Sequence, residues 1–202
     1  MGALEDLNVG VVGACGRGGS FVRVFEQLEG IRIHAVCDVN EDDLHGAAVR
    51  LRATEEYIEY TEMLARSKVD AVILGTPMPF HVPQAIPALR QGIHVLSEVP
   101  AGVSIDECRE LVEACRGSDA VYMMAENYFY SRQNVMVREL VRRGFFGTTY
   151  YAEGEYIHEL KALNEITRWR RKWQTGIDGI TYGTHSLGPV LGWMPGDRVQ
   201  AV

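Results

Sequence analysis

The sequence lacks several features that would place the chain in a special class. Its 202 residues include 4 cysteines, none in a CxxC pair, which gives no indication of a zinc ribbon or a disulfide scaffold. No apolar run approaches the ~18–20 residues of a membrane span. The first residues also lack the basic segment and apolar stretch of a secretory signal. These absences predict a soluble, cytoplasmic protein that does not bind a membrane and whose thiols are reduced and mostly buried.

Positive charge is scarce as well. Lys and Arg number 20 against 27 Asp and Glu, which gives a net charge of −7. Since there is also no Lys/Arg-rich stripe, we expect no nucleic-acid partner. The apolar share of 47% is ordinary for a folded chain, and the length allows one domain or one and a half at roughly 100–200 residues per domain.

Apolar runs alternate with amphipathic stretches in the first part of the chain. The periodicity predicts strands at 7–12, 31–37, 70–74, 93–96 and 120–124, and helices at 20–28, at 82–91 and from Ser104. Each strand is almost continuously apolar, which is typical of a parallel sheet covered by helices on both faces. Residues 1–125 are therefore predicted to form one doubly wound α/β domain.

The pattern changes after residue 125. A helix is predicted at 131–143, a long alternating strand at 148–156, and a short apolar helix near 186–193. The chain stops inside a further predicted strand, 198–202, and an unpaired strand makes a poor chain end. Residues 126–202 are therefore expected to be the first part of an incomplete second domain.

A glycine cluster lies between the first strand and the first helix. Glycine at Gly13, Gly16 and Gly18 allows a tight turn and a close approach of the backbone to a pyrophosphate. Asp38 ends the second strand, where a carboxylate accepts hydrogen bonds from ribose hydroxyls and repels a 2′-phosphate. The pattern predicts an NAD site, with Gly16 and Arg17 closest to the dinucleotide. The alternative is a plain turn followed by a solvated acid.

Three further motifs resemble the Gfo/Idh/MocA oxidoreductase family: Thr76-Pro-Met-Pro-Phe-His81, Gly92-Ile-His-Val-Leu-Ser-Glu-Val-Pro100 and Ala125-Glu-Asn127. The resemblance implies a Rossmann NAD-binding domain at 1–125. It also implies the beginning of a substrate-binding α/β domain at 126–202, whose open sheet faces the nicotinamide, and a protein longer than this chain. A homo-oligomer formed through that sheet is a further expectation.

One position departs from most of the family and directs the resemblance to a subgroup. Most members have lysine where this chain has Val99, and valine cannot move a proton. The Glu98-Val99 pair resembles NAD-dependent glycosidases of the α-N-acetylgalactosaminidase type. The stretches 153–161, 169–170 and 182–189 resemble that subgroup too, although Lys161 replaces an arginine and Gly183 a proline.

The resemblance also implies roles for individual residues, with Tyr182 and His185 as the acid–base pair. The implied substrate contacts are Tyr156, Arg170, Tyr182, Gly183, Thr184 and His185. The implied or expected NAD contacts are Gly13, Gly16, Arg17, Gly18, Asp38, Thr76, Met78, Pro79, Phe80, His81, Glu98, Val99, Asn127 and Tyr182.

Several of these residues have an ordinary alternative. A histidine before an apolar helix is often a capping or core residue, and a strand tyrosine such as Tyr156 is usually packing. Cys108 and Cys115, seven apart on one helix, favour a place in the core over a metal site, so no metal is expected.

Three functions remain open from the sequence. The first is an NAD-dependent enzyme on a carbohydrate. In its glycosidase form, oxidation of the C3 hydroxyl acidifies the C2 proton, a base removes that proton, and the C1 substituent leaves. The second is a simple sugar or polyol dehydrogenase in which His185 moves the proton. The third is a non-catalytic NAD-binding regulator or fragment.

Overall fold

The computed structural model describes residues 6–159, 161–167, 169 and 182–200. Within it the chain divides into two compact units, Met1–Ala125 and Glu126–Val202. We take each unit by itself.

The first unit is built on a parallel sheet of six strands in the order β3-β2-β1-β4-β5-β6. The strands are β1 (Leu7–Val12), β2 (Ile31–Cys37), β3 (Glu55–Tyr57), β4 (Ala71–Leu74), β5 (His94–Ser97) and β6 (Tyr122–Met124). Because the strand order reverses between β1 and β4, the crevice for a ligand is expected at the carboxyl ends of these strands. The predicted doubly wound α/β fold is confirmed.

Helices cover both faces of this sheet. They are α1 (Val22–Phe25), α2 (Glu41–Leu51), α3 (Tyr60–Arg66), α4 (His81–Arg90) and α5 (Ile105–Arg116). The predicted cap of α5 is present, since the Ser104 hydroxyl accepts a hydrogen bond from the Glu107 N–H. Asn40 caps α2 in the same way by accepting from the Asp43 N–H.

The apolar core lies in two layers, one on each face of the sheet. Val9, Val11 and Ile33 belong to the layer under α2, whereas Val12, Ala35 and Cys37 belong to the layer under α3 and α4. Val9 pairs with Ile33 but Gly10 pairs with Ala35, so β2 carries an irregularity of one residue. Because of this bulge, an odd-numbered residue such as Ile33 and an even-numbered residue such as Val36 lie on the same face of the sheet.

The prediction differs from the structure at two places in this unit. The helix predicted at 20–28 is a 3-10 turn, Gly18–Phe21, followed by only four α-helical residues. The sequence analysis also passed over α2, β3 and α3, which fill residues 41–66. The strand β3 has only three residues and pairs with β2 alone, which is too short to produce a clear periodic signal.

The second unit is helical where the structure describes it. It contains a 3-10 turn at Tyr128–Tyr130 and the helices α6 (Arg132–Arg142), α7 (Lys161–Ile166) and α8 (Gly183–Trp193). The strand predicted at 148–156 is wrong, since these residues take no strand conformation, and neither do 198–200 of the last predicted strand. A strand needs a hydrogen-bonded neighbour, and in the described residues of this unit none is paired with them. Residues 201–202 lie outside the described part.

None of the helices in the described residues is long and apolar enough to cross a membrane. The four cysteines are free, as predicted, but the expectation that most are buried is wrong. Cys37 is buried, Cys15 and Cys115 are partly exposed, and Cys108 is exposed on α5. Cys108 therefore lies outside the core, because its helix turns that side chain toward water.

Candidate functional site

Four loops of the first unit leave the sheet at the carboxyl ends of neighbouring strands. Backbone hydrogen bonds tie these ends together: the Gly13 N–H donates to Cys37 O, the Gly75 N–H to Val12 O, and the Glu98 N–H to Leu74 O, each at 2.9 Å. The loops after β1, β2, β4 and β5 are therefore adjacent. They carry most of the residues that the sequence assigned to NAD.

The loop after β1 packs so closely against neighbouring backbone that three of its four glycines have no room for a side chain. Gly13 has a positive φ of 76°, and a Cβ there would lie 2.7 Å from Gly75 O. A Cβ on Gly18 would lie 2.7 Å from Val12 O, and one on Gly19 would lie 2.3 Å from Ala14 O. These approaches bring the loop against the strand ends.

Gly16 differs from the other three. The nearest atom to a Cβ built there is Gly13 O at 3.9 Å, and the residue has no positive φ. The protein therefore supplies no steric reason for glycine at this position. A ligand that approaches the backbone closely supplies one, as a dinucleotide pyrophosphate does in Rossmann loops. The geometry fits the expectation that Gly16 lies closest to the dinucleotide.

Asp38 follows β2 and is fixed by two backbone donors. Its Oδ2 accepts from the Cys15 N–H at 2.9 Å, and its Oδ1 accepts from the Asn40 N–H at 3.0 Å. A carboxylate has about four acceptor positions, so two remain for other donors such as a pair of ribose hydroxyls. Asp38 also affects its neighbour Cys15: burial first, then this carboxylate, raises the pKa of the thiol to about 11.

Arg17 and Glu98 form an ion pair between the loop after β1 and the loop after β5. The Arg17 Nε lies 2.6 Å from Glu98 Oε1, and the Glu98 Oε2 accepts from the Val99 N–H at 3.2 Å. The Glu98 side chain is mostly buried, whereas that of Arg17 is 52% exposed. Val99 is buried beside this carboxylate. The exposed guanidinium is the part of this group that an anionic ligand can reach.

The loop after β4 contains the Thr76–His81 motif. The Thr76 hydroxyl donates to Gln84 Oε1 at 2.6 Å, and Met78 is buried while Phe80 is half exposed. His81 is only 1% exposed, and its ring nitrogens lie 2.8 Å from Pro100 O and 2.9 Å from Thr76 O. In this structure the His81 side chain binds the protein, and Phe80 is the ring of this motif that reaches the surface.

In the second unit, His185 pairs with Glu126. The Nδ1 of His185 lies 2.6 Å from Glu126 Oε1, and both side chains are more than nine-tenths buried. The same Oε1 accepts from the Tyr128 N–H at 3.0 Å. Within the Ala125-Glu-Asn127 motif only Asn127 was predicted to contact a ligand, and it is exposed. Glu126 was not predicted, since its partner is 59 residues away in sequence.

Three tyrosine rings surround the imidazole of His185. Tyr128 stacks on it at 4.6 Å between ring centroids, Tyr182 stacks at 5.4 Å, and Tyr156 meets it edge-on at 4.5 Å. Tyr156 and Tyr182 are also in contact, at 5.9 Å. Three residues that the sequence assigned to the substrate, Tyr156, Tyr182 and His185, are thus brought together. We call Glu126, Tyr128, Tyr156, Tyr182 and His185 the histidine cluster.

Other predicted substrate contacts are less informative. Gly183 and Thr184 open α8 beside Tyr182, and the Thr184 hydroxyl oxygen is buried without a hydrogen-bond partner in the described structure. Arg170 lies outside the described residues. Among the residues that are described, no group of three or more His, Cys, Asp or Glu side chains could hold a metal.

Comparison with known proteins places these features in a family. Residues 7–126 match the model of the Gfo/Idh/MocA group, an oxidoreductase family with an NAD-binding Rossmann fold. An alpha-N-acetylgalactosaminidase of Shewanella oneidensis is 36% identical along an alignment that covers 96% of this chain and 46% of that protein. A glycosyl hydrolase family 109 protein of Saccharopolyspora erythraea is 35% identical over 99% of this chain and 47% of its own length. The chain therefore spans about half the length of the curated relatives it matches.

Solved structures support the same fold. Myo-inositol 2-dehydrogenase from Lactobacillus plantarum has a TM-score of 0.83 over 94% of this chain and 56% of its own, at 20% identity. The WlbA dehydrogenase from Bordetella pertussis, solved with NADH and UDP-GlcNAcA, has a TM-score of 0.76 and 25% identity over 84% of this chain and 49% of its own. The NAD site predicted from the glycine loop and Asp38 agrees with the cofactor of the matched family.

Proposed function

We propose that the whole protein is an enzyme that acts on a carbohydrate by hydride transfer. This chain belongs to the Gfo/Idh/MocA family of NAD-binding oxidoreductases. We favour the form in which a glycoside is hydrolysed and NAD is regenerated in each turnover. The observation that carries this proposal is the 36% identity, along 96% of the chain, to an alpha-N-acetylgalactosaminidase. Because the chain spans about half of that relative, the activity is proposed for the whole protein.

The first unit supplies the proposed cofactor site. When bound, NAD provides a carbon that accepts a hydride from the sugar and returns it. The open space at Gly16 suits a pyrophosphate, and the two free acceptor positions of Asp38 suit the ribose hydroxyls. The charge of Asp38 disfavours a 2′-phosphate, so we expect NAD to be preferred over NADP. The further proposed contacts are Gly13, Arg17, Gly18, Thr76, Met78, Pro79, Phe80, His81, Glu98, Val99, Asn127 and Tyr182.

The second unit supplies the proposed acid–base groups. His185 supplies an imidazole, whose ring nitrogens can donate or accept a proton. A phenol titrates near pH ~10 and needs a nearby cation to act as a base. We propose Arg170 as that cation for Tyr182. In the glycosidase form, one of these two groups removes the C2 proton, and the C1 substituent leaves with a proton. Water then adds at C1, a proton returns to C2, and the hydride returns to C3. The proposed sugar contacts are Tyr156, Arg170, Tyr182, Gly183, Thr184 and His185.

Val99 supports the assignment of proton transfer to the second unit. Its side chain is buried beside Glu98 and has no group that exchanges a proton. The second candidate function is a sugar or polyol dehydrogenase with His185 as the base. The likeness of the fold to inositol dehydrogenases makes this candidate worth testing beside the first.

One assay separates the candidates. The purified protein is checked for bound NAD and incubated with aryl glycosides, including an aryl α-N-acetylgalactosaminide, and with free sugars and polyols, each with and without added NAD. A glycosidase releases the aryl alcohol without accumulating NADH, whereas a dehydrogenase forms one NADH per product. NAD binding without turnover on any substrate would instead indicate a non-catalytic NAD-binding protein. Failure to bind NAD would contradict the proposal.

The cysteines bear on where the protein is located in the cell. The four cysteines are free, as is usual in the cytoplasm, where thiols are kept reduced. We therefore propose a cytoplasmic location, which cell fractionation tests. A homo-oligomer formed through the sheet of the second domain stays a prediction, to be measured by light scattering.

A further inference from the structure

Glu126 and His185 form a buried acid–imidazole pair that the proposed function does not yet use. We propose that Glu126 is a positioning residue: it keeps the proton of His185 on Nδ1 and leaves Nε2 as the atom that takes a proton from the substrate. The catalytic half of this inference rests on the proposed function. The protonation site of the ring does not.

The hydrogen bonds of Glu126 determine which nitrogen carries the proton. Oε1 lies 2.6 Å from His185 Nδ1 and also accepts from the Tyr128 N–H at 3.0 Å. An ionised carboxylate only accepts hydrogen bonds. The hydrogen between Glu126 and His185 therefore belongs to Nδ1, and Nε2 of the neutral ring keeps a lone pair.

The surrounding rings fix the orientation of the imidazole. Tyr128 stacks on it with 28° between the ring planes, and Tyr182 is almost parallel to it at 6°. Tyr156 approaches edge-on, with 62° between the planes. A rotation that exchanged Nδ1 and Nε2 would have to displace these rings and break the bond to Glu126. The protonation site and the ring orientation are thus fixed together.

The fold itself gives little reason for this pair. Glu126 Oε2 is buried and has no hydrogen-bond partner among the described residues. A buried acceptor without a partner opposes folding, and apolar side chains of the same shape can replace a buried hydrogen-bonded pair at almost no loss of stability. The pair is therefore better explained by proton transfer than by packing.

The proton transfer itself is balanced. A proton moves from an O–H or C–H of the substrate to His185 Nε2, and the bonding electron pair stays on the substrate atom. The ring then carries a proton on each nitrogen and a positive charge, which the Glu126 carboxylate stabilises without taking up a proton. No oxidation or reduction accompanies this step.

The test uses the full chain with ¹⁵N-labelled histidine. Nitrogen NMR distinguishes a protonated ring nitrogen from an unprotonated one, and the His185 signals are assigned by their loss in His185→Gln. In the wild type we expect Nδ1 protonated and Nε2 unprotonated.

Glu126→Gln keeps the size but allows the side-chain amide to donate to Nδ1, so the Nε2-protonated form should increase to at least half. Glu126→Asp keeps a carboxylate and should retain the wild-type form, and Glu139→Gln, an exposed glutamate on α6, is the matched control.

Activity is the second readout. Because Glu126→Gln should favour the wrong tautomer of His185, we expect kcat to decrease at least about tenfold, with KM changed less than about threefold and partial rescue by Glu126→Asp. A wild-type His185 protonated on Nε2 overturns the proposal, and this outcome requires only the His185→Gln variant used for the assignment to fold. An unchanged protonation site in folded Glu126→Gln overturns it too, as does an altered site with unchanged kcat. Turnover is measured on the whole protein: if that protein turns over no substrate, the proposed function fails, and the NMR result still decides the role of Glu126 toward the ring.

Discussion

The two units of the chain bury different kinds of side chain. In Met1–Ala125 the buried side chains are mostly Val, Leu, Ile and Ala on both faces of the sheet. In Glu126–Val202, only Glu126, His185 and Pro189 are buried among the residues that the structure describes. The first unit is thus organised by its apolar core, and the second has a carboxylate–imidazole pair at its most buried point.

This difference distinguishes the side chains that stabilise the first unit from the pair for which we propose a role in proton transfer. Burial of a Val or Leu side chain contributes roughly 1.5–3 kcal/mol to the first unit. A buried hydrogen-bonded pair adds little net stability, although removal of His185 would leave the buried Glu126 carboxylate without its partner, which costs about 1–3 kcal/mol or more. Substitutions in the apolar core of the first unit should therefore mainly lower stability, whereas substitutions of the pair in the second unit should mainly lower turnover.

The largest expected effect is the loss of turnover when the histidine cluster is changed. His185→Gln and Tyr182→Phe should each reduce turnover at least ~100-fold, the low end for a positioned acid–base group. NAD binding should persist in His185→Gln, measured by calorimetry. His185→Gln is preferable to His185→Ala, because alanine would leave the buried Glu126 carboxylate without its partner and lower the melting temperature as well.

The control for this change is His45→Gln, which alters an exposed histidine paired with Glu56 in the first unit. Its turnover and melting temperature should match the wild type. Near-normal turnover in His185→Gln would make His185 a packing residue and remove the contrast between the units.

Two glycines of the first unit should separate folding from cofactor binding. Gly18→Ala places a Cβ 2.7 Å from a backbone oxygen, and such overpacking costs about 1–3 kcal/mol. We expect its melting temperature to decrease by roughly 3–10 °C. Gly16→Ala has open space and should melt like the wild type, yet bind NAD about tenfold more weakly, a change of about 1.4 kcal/mol. Wild-type affinity in Gly16→Ala would show that the dinucleotide does not pass this residue.

Asp38→Asn should change cofactor choice, although it also removes one of the two hydrogen bonds that Asp38 accepts from the backbone. Asparagine keeps the size and one acceptor oxygen but removes the charge that repels a 2′-phosphate. The preference for NAD over NADP should decrease about tenfold, or about 1.4 kcal/mol, by calorimetry with both cofactors. If the wild type binds NADP as tightly as NAD, the ribose assignment of Asp38 is wrong.

The smallest expected effect concerns the thiols of the first unit. Burial raises the pKa of Cys37 to about 12, and burial with the nearby Asp38 raises that of Cys15 to about 11. Both remain protonated at mildly alkaline pH, so the exposed Cys108 should be alkylated first, as followed by mass spectrometry. Because the pKa values of these two thiols are higher in the folded state, the thiols of the unfolded chain lose their protons at a lower pH than those of the folded chain. The free energy of unfolding should therefore decrease as the pH rises above 9.0, the ordinary value of these thiols. Equal alkylation rates at all four cysteines would contradict this assignment.

Sequence periodicity predicted the first unit well because its strands are apolar on both faces. The strands β1 and β2 were predicted to the residue, and each is bounded by a glycine or an acid that ends the apolar run. The periodicity failed for 148–156, where alternation suggested a strand. Alternation reports which side chains face water, but pairing depends on a neighbouring strand that a local pattern does not contain.

The candidate site shows the same limit. Asp38 and Glu98 were found because they directly follow strands, at the edge where ligands bind in parallel sheets. Glu126 was missed because its significance depends on a partner 59 residues away. The motif that contains it carried the only local signal. A resemblance was needed to select Tyr156 and His185, whose spacing alone fits ordinary packing.

The position of the buried His81 ring between two backbone carbonyl oxygens has a consequence for motion. Because this ring contacts Thr76 O on one side and Pro100 O on the other, the segments after β4 and β5 are tied to each other through a side chain that water hardly reaches. They should move as one rigid body and exchange their amide hydrogens slowly. When a dinucleotide binds, we therefore expect side chains to adjust rather than these backbone segments, above all the exposed ends of Arg17 and Phe80.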